Sequence, residues 1–354
     1  MAASSALIEI APRGVWLTGL AGAVAVLASL AGCALVGGAA WRAWLGAAFL
    51  VVSLPIGALP LIMMMRLIPG AWGRETSPLL EAETLLIPLG ALALIPVLVA
   101  MPSLYRWVQE PQATGFRAAW LSPWAFVTLT VVWLVTLFGL AALLVRRPNA
   151  PRAVSCVGLV LFMIGDTFAA TDWVQSLDPD FNSSGFGLYV VCWQILLALS
   201  AAIVVGLAPA QGLPRQGILG GLLLTVLIMW GYFSFMPFFI NWSGNEPAEA
   251  VWYLRRGAGV WGDLAWLVAA TRFVPAFLLL FRTVRNDRRW LLAVAAAVAL
   301  GSAPEAAWLV LPSPPGGAAT TGTCGVLFAI GVAGFTALCA ALMLPALAWV
   351  GQRR

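Results

Sequence analysis

About ten apolar runs of twenty residues or more, each closed by a charged or Pro/Gly-rich break, limit what this chain can become. They fall at 15–38, 44–68, 79–101, 124–145, 153–176, 184–208, 216–240, 258–281, 289–311 and 321–349. As a helix, each run is long enough to cross the hydrocarbon core of a bilayer. The runs are continuous rather than alternating, which argues against an outer-membrane barrel. Composition agrees: of 354 residues 62% are hydrophobic and 9% charged, against about a quarter charged in a soluble domain. The expected fold is all-α, a polytopic membrane protein of about ten transmembrane helices in the lipid bilayer. Residues 1–354 read as a single integral-membrane domain. The first run is followed by no small-residue cleavage site, so a retained anchor is expected rather than a signal peptide.

The formal charge of +5 records topology. All nineteen basic residues are arginine, and thirteen lie at the N-terminus, the C-terminus and every second loop. Five lie on the other side (Arg42, Arg106, Arg117, Arg255 and Arg256), and Arg272 falls inside a run. By the positive-inside rule both termini are expected in the cytoplasm. The loops "SLDPDFNSSG" and "NWSGNEPAEAVWYLRR" then face outward. Arginines spread as anchors over many loops give no nucleic-acid patch, so no nucleic-acid partner is expected.

Two absences restrict chemistry. The chain has no histidine, so it cannot supply bis-His or His/Met haem ligation. Its five cysteines (Cys33, Cys156, Cys192, Cys324 and Cys339) stand singly in apolar segments without CxxC spacing, which argues against iron–sulfur and zinc sites. No metal and no covalent cofactor is expected. If electrons pass nearby, partner subunits carry the redox centres.

The polar residues inside the runs are the functional candidates, because an ionisable group at membrane depth is costly and faces protein or water. The stretch "DTFAATDWVQSLDPDF" holds four carboxylates. Asp166 lies near the middle of the fifth run and Asp172 nearer the outer face. Six residues turn a helix by about 240°, so the two point to different faces. In the eighth run Asp263 and Arg272, nine apart, also face differently, so Arg272 needs a carboxylate on another helix. Asp166, at comparable depth, is the expected partner. Glu305 follows Pro304 in the outer half of the ninth run. Glu81 and Glu83 stand at the inner start of the third, as candidates for proton entry. These residues offer the material for a proton route or a quinol site, and equally for ion pairs that hold helices in register.

Most of the eighteen tryptophans fall near run ends, as interfacial anchors do. Trp173, Trp230, Trp242, Trp252, Trp261 and Trp308 lie near the outer polar cluster. Trp173 and Trp261 in particular are candidates to pack a quinone ring, although anchoring explains them equally well. The segment after Pro247 reads as a short amphipathic helix, lying in the interface or docking a partner.

The stretches "DTFAATDWVQSLDPDFNSSGFGLYV", "FFINWSGNEPAEAVWYLRRGAGVW" and "RFVPAFLLLFR", with the earlier "LIPGAWGRETSPLLEAETLLIPLGALALIPVL" and "LYRW", carry a resemblance over about Leu67 to Pro312. In that order they resemble the ActF family of NrfD-like membrane subunits of bacterial alternative complex III, relatives of ActC. The resemblance implies two four-helix bundles plus two further helices, in the bacterial inner membrane. It implies membership of a quinol-oxidising respiratory complex that passes electrons to cytochrome c or a terminal oxidase. The implied partners are an ActC-like membrane subunit, a multihaem cytochrome and an iron–sulfur subunit, which hold the haem and iron–sulfur centres. The implied contribution of this chain is a quinone-associated or proton-conducting polar interior. Asp166, Asp172, Asp263, Arg272 and Glu305 are the positions expected to line it. Family members commonly carry histidine where this chain has Arg272, and histidine with aspartate where it has "APEAAWLVLP". Arginine stays protonated and cannot relay a proton by titrating. Two other readings stay open: a scaffold subunit without chemistry of its own, and an independent ion-coupled transporter.

Overall fold

The computed structural model describes residues 12–110, 114–147, 150–209, 213, 215–245, 247–312 and 320–353. Arg354, counted above among the inner-side arginines, lies outside them. Among the described residues the chain is all helix. The long helices are α1 (Pro12–Val36), α2 (Trp41–Leu67), α3 (Ala71–Thr84), α4 (Ile87–Val99), α5 (Pro123–Arg146) and α6 (Arg152–Trp173). They continue with α7 (Phe186–Leu207), α8 (Gln216–Gly244), α9 (Pro247–Gly257), α10 (Gly259–Leu278), α11 (Arg288–Val310) and α12 (Thr321–Gly351).

Nine spans among the described residues are long and apolar enough to cross a membrane, which makes this a multi-pass membrane protein. The eighth expected run, 258–281, does form α10 but is not among the nine, since Asp263 and Arg272 dilute its apolar character. The third run is also amended. It begins earlier than 79, and α3 and α4 form one span broken at Leu85–Leu86. Pro88 explains the break, because it lacks an N–H and its ring crowds the carbonyl of Thr84, where α3 stops.

Burial falls into a centre and a periphery. The apolar windows of α2 and α7 are 83% and 78% buried, whereas that of α1 is 17% buried. α1 lies along α12 on the outside, with Trp16, Leu17, Leu20 and Leu27 exposed. A helix apolar all round yet half bare is what a lipid-facing position allows.

Small residues let the central helices meet. A Cβ on Gly57 of α2 would run into the backbone of Gln194 on α7. One on Gly301 of α11 would strike the side chain of Thr271 on α10. Such close backbone approach is how helices associate where lipid removes the hydrophobic drive. These contacts place Gln194 in the core and set α10 against α11, the two helices that carry Arg272 and Glu305.

Replacing Gly57 by Val is expected to destabilise the protein by about 1–3 kcal/mol or more, through overpacking against backbone that cannot move aside. Gly139→Ala on α5, where a Cβ meets nothing within 4 Å, is expected to be neutral or slightly stabilising. Thermal unfolding of the detergent-solubilised variants compares the two. Equal melting temperatures would contradict this packing.

Candidate functional site

Arg272 does not pair with Asp166. Its guanidinium meets Glu305 on α11, with Nη2 and Nε at 2.7 and 3.1 Å from Oε2. Both side chains are 0% exposed. Nη2 also donates to Ser302 Oγ at 3.0 Å and Nη1 to the Val298 carbonyl at 2.5 Å, so all three guanidinium nitrogens are engaged. The second carboxylate oxygen, Oε1, accepts from the Tyr189 hydroxyl at 2.5 Å and from Trp230 Nε1 at 2.7 Å. Four helices (α7, α8, α10 and α11) thus converge on one carboxylate. A buried ion pair persists only when its remaining lone pairs and protons are satisfied, and here they are.

The expected pairing with Asp166 fails because Arg272 meets Glu305 on α11 instead. Sequence spacing gives height along a helix and relative face, but not which helix stands opposite. Arg272 turns into α11, where residues 298, 302 and 305 line one face at helical spacing.

Above this network lies a cavity of about 150 Å³, walled by aromatic side chains that include Phe181, Phe186, Phe233, Trp252, Tyr253 and Trp308. Tyr189 and Trp230 line it too, so the groups that hold Glu305 form its polar floor. Ser234 and Pro237 of α8, with Ala265, Val268 and Ala269 of α10, complete the wall. A dry apolar cavity of about 150 Å³ accommodates one benzene-sized ring. Both donors at the floor, the Tyr189 hydroxyl and the Trp230 N–H, are spent on Glu305. The Tyr189 oxygen keeps an acceptor position open.

The segment after α6 and the helix that follows α8 lock this wall. Phe181 stacks on Trp252 with ring centroids 4.4 Å apart. The expected short helix exists as α9, and its Arg255 forms an ion pair with the buried Asp178 of the loop after α6. Arg256 is buried, with its guanidinium 3.8 Å over the Trp252 ring. It donates to the carbonyls of Trp308 at 3.2 Å and Leu309 at 2.9 Å, in the last turn of α11. A cation on terminal helix carbonyls is doubly favourable, through hydrogen bonds and the helix dipole.

The other candidates divide among different places. Asp172 accepts from Trp120 Nε1 at 2.8 Å and, with Trp173, lines a separate cavity of about 180 Å³. Trp173 is buried, donating to Thr130 Oγ1 at 3.0 Å. Trp261 packs half-buried against the core and is not part of the aromatic cavity wall. Asp263 is exposed and lies outside the Glu305 network. Glu81 accepts from Ser77 Oγ at 2.9 Å. Glu83, placed by sequence at the start of a span, is deep in the protein at 1% exposure, with neither oxygen hydrogen-bonded among the described residues. Asp166 is 0% exposed and likewise has no hydrogen-bond partner among the described residues.

Sequence reasoning missed Tyr189 and Arg256. The available signal for Tyr189 was that it is one of only four tyrosines and stands inside an apolar run. Among the described residues no group of three or more His, Cys, Asp or Glu side chains is placed to hold a metal ion. Compared with known proteins, the chain matches no family model and no curated sequence.

Glu305→Gln is expected to cost about 3–5 kcal/mol, because it leaves the buried Arg272 charge uncompensated. The double variant Arg272→Met/Glu305→Gln should recover a large part of that loss. Thermal or denaturant unfolding in detergent measures both. A single variant as stable as wild type would contradict the pairing.

Proposed function

We propose that this chain is an integral-membrane subunit of a quinol-oxidising respiratory complex of the alternative complex III type, and that its aromatic cavity holds the ring of the quinone pool molecule. The observation that carries the reading is that cavity, sized for one six-membered ring and floored by the Tyr189–Trp230–Glu305–Arg272 network. Ligand sites are typically apolar, concave and supplied with a few convergent polar groups. The open acceptor position on Tyr189 suits a hydroxyl, which a reduced ring carries. In this reading the chain follows the NrfD-like plan of two four-helix bundles, with both termini cytoplasmic, in a bacterial inner membrane. Haem and iron–sulfur centres sit on partner subunits, alongside an ActC-like relative and, further on, a terminal oxidase.

In this mechanism the chain binds and orients rather than transfers electrons. The aromatic wall excludes water from the ring. Tyr189 fixes the hydroxyl that points to the floor, and Glu305 holds Tyr189. Arg272 holds Glu305 still through two hydrogen bonds to Oε2, so the floor is rigid. Asp263, exposed on α10, takes no part at the ring.

A scaffold role is the second reading, and one observation favours it. Every nitrogen of Arg272 is already engaged within the chain, which is how a purely structural pair would look. The cavity separates the two readings. Ala269→Trp fills the ring position without touching the ion pair. It is expected to lower quinol-dependent turnover of the assembled complex at least tenfold, whereas a scaffold would lose nothing. Mild-detergent purification through a tag on this chain, read by haem absorbance and subunit mass spectrometry, tests the complex itself. Co-purifying multihaem cytochrome, iron–sulfur subunit and ActC-like subunit is the expected result. A lone haem-free chain would overturn the assignment and favour transport.

A further inference from the structure

A groove of about 330 Å³ runs between α10 and α11, away from the aromatic cavity. Ala270, Val274 and Leu278 line it on α10, and Trp290, Ala293 and Ala297 on α11. The three α10 residues are four apart, so they share one face and span about 12 Å at 1.5 Å per residue. Val274 and Trp290 are more than half exposed, so the groove opens outward rather than into the core. Its lining is apolar except for Thr271, whose hydroxyl is spent on the Val268 carbonyl at 2.9 Å. The groove is too narrow for a second helix, about 10–12 Å across with its side chains, but takes a single hydrocarbon chain.

One end of the groove is strongly basic. Leu278 and Trp290 both line it, so the stretch that joins α10 to α11 crosses that end. This stretch carries Arg282, Arg285, Arg288 and Arg289 against one carboxylate, Asp287. Asp287 is already used, its Oδ1 accepting from the backbone N–H groups of Arg289 and Trp290 at 2.8 and 3.0 Å. Arg288 is used too, donating to the carbonyls of Leu207 and Ala208 at the end of α7. Arg285 lies against Gly220 of α8. Arg282 and Arg289 remain, both exposed, their guanidinium groups without a partner among the described residues. Arg289, Ala293 and Ala297 are four apart and share one face of α11. Side chains lean toward a helix N-terminus, which carries the Arg289 guanidinium past the end of the groove. Trp290 beside it marks headgroup level, as tryptophans at span ends do.

We propose that this groove is a binding site for one anionic phospholipid, with an acyl chain between α10 and α11 and the phosphate on Arg289 and Arg282. A guanidinium offers paired donors that match phosphate oxygens, and basic pockets between spans suit anionic headgroups. Charge and shape select the same occupant. The groove accepts an apolar chain along its length, and the unpaired arginines at its end call for an anion. The inference stands independently of the quinol reading, since it uses neither the aromatic cavity nor a partner subunit.

Native mass spectrometry of the purified full-length chain, delipidated in detergent and titrated with dioleoyl phosphatidylglycerol or dioleoyl phosphatidylcholine, tests it. The expected result is one phosphatidylglycerol bound about tenfold more tightly than phosphatidylcholine. Arg289→Gln should weaken that binding about fivefold by removing a charge, and Ala293→Phe by a similar factor by filling the groove. Both positions are exposed, so neither change disturbs the core. Arg152→Gln, at an exposed arginine that starts α6 on the same arginine-rich side, should leave binding unchanged. Equal affinity for the two lipids would overturn the proposal. So would equal losses in Arg289→Gln and Arg152→Gln, which mark diffuse attraction to charge. Unchanged binding in Ala293→Phe would overturn it as well, because the acyl chain would then lie elsewhere and leave the groove to a partner. Displacement of the lipid by inorganic phosphate would mark a free-anion site instead, and would also overturn it.

Discussion

A single buried ion pair, Arg272 with Glu305, holds the candidate site together. Neither side chain has any exposed surface, so the pair is not screened by water and survives only while its hydrogen bonds are complete. That completeness requires α7 to present Tyr189, α8 to present Trp230 and α11 to present Ser302 and the Val298 carbonyl. The positions of four helices are therefore coupled through one carboxylate. Gly301 permits this, since a side chain there would push α10 off α11. Moving any of these helices leaves a buried charge or donor unpaired, which gives the site a unique geometry.

The network also explains why a polar floor sits beneath an aromatic cavity. Tyr189 and Trp230 turn their polar ends to Glu305 and leave their ring faces to the cavity, as amphipathic aromatics do when one end must be bonded. The part of the wall made by Phe181, Trp252, Tyr253 and Trp308 is made rigid by different means. Arg255 ties α9 to Asp178, and Arg256 ties it to the end of α11. The carboxylate-rich stretch after α6 thus reaches α9 rather than being left free at the surface. Arginines that resemble topology signals in the sequence are in part structural clamps.

Much of the fold was legible because run length and polar breaks are governed by bilayer thickness, which is independent of which helices are neighbours. Most long helices lie close to an expected run; the third run is the one that moved, broken at a proline into α3 and α4, while α10 keeps its place but is diluted by its charges. The separate faces of Asp263 and Arg272 were also legible, since a helix fixes relative azimuth within itself: Asp263 is exposed and Arg272 buried. What the spacing could not supply was the relation between helices. Asp166 and Glu305 were both carboxylates available to Arg272. The choice depends on α10 packing on α11 through Gly301, which is a tertiary fact. Glu83 was misplaced for a related reason. Its sequence position resembles a helix start at the headgroups, but α3 begins two turns earlier and carries it inward. The aromatic cavity was only half visible, as a cluster of tryptophans whose members proved to belong to different places.

The central claim is that a six-membered ring occupies the cavity above Glu305. A photoactivatable short-chain benzoquinone, crosslinked in native membranes and mapped by peptide mass spectrometry, tests it most directly. The account predicts labelling on the cavity-facing segments of α8 and α10, around Phe233–Pro237 and Ala265–Ala269, competed by unlabelled quinone and abolished in Ala269→Trp. Labelling confined to other parts of the chain, or unchanged by Ala269→Trp, would contradict it.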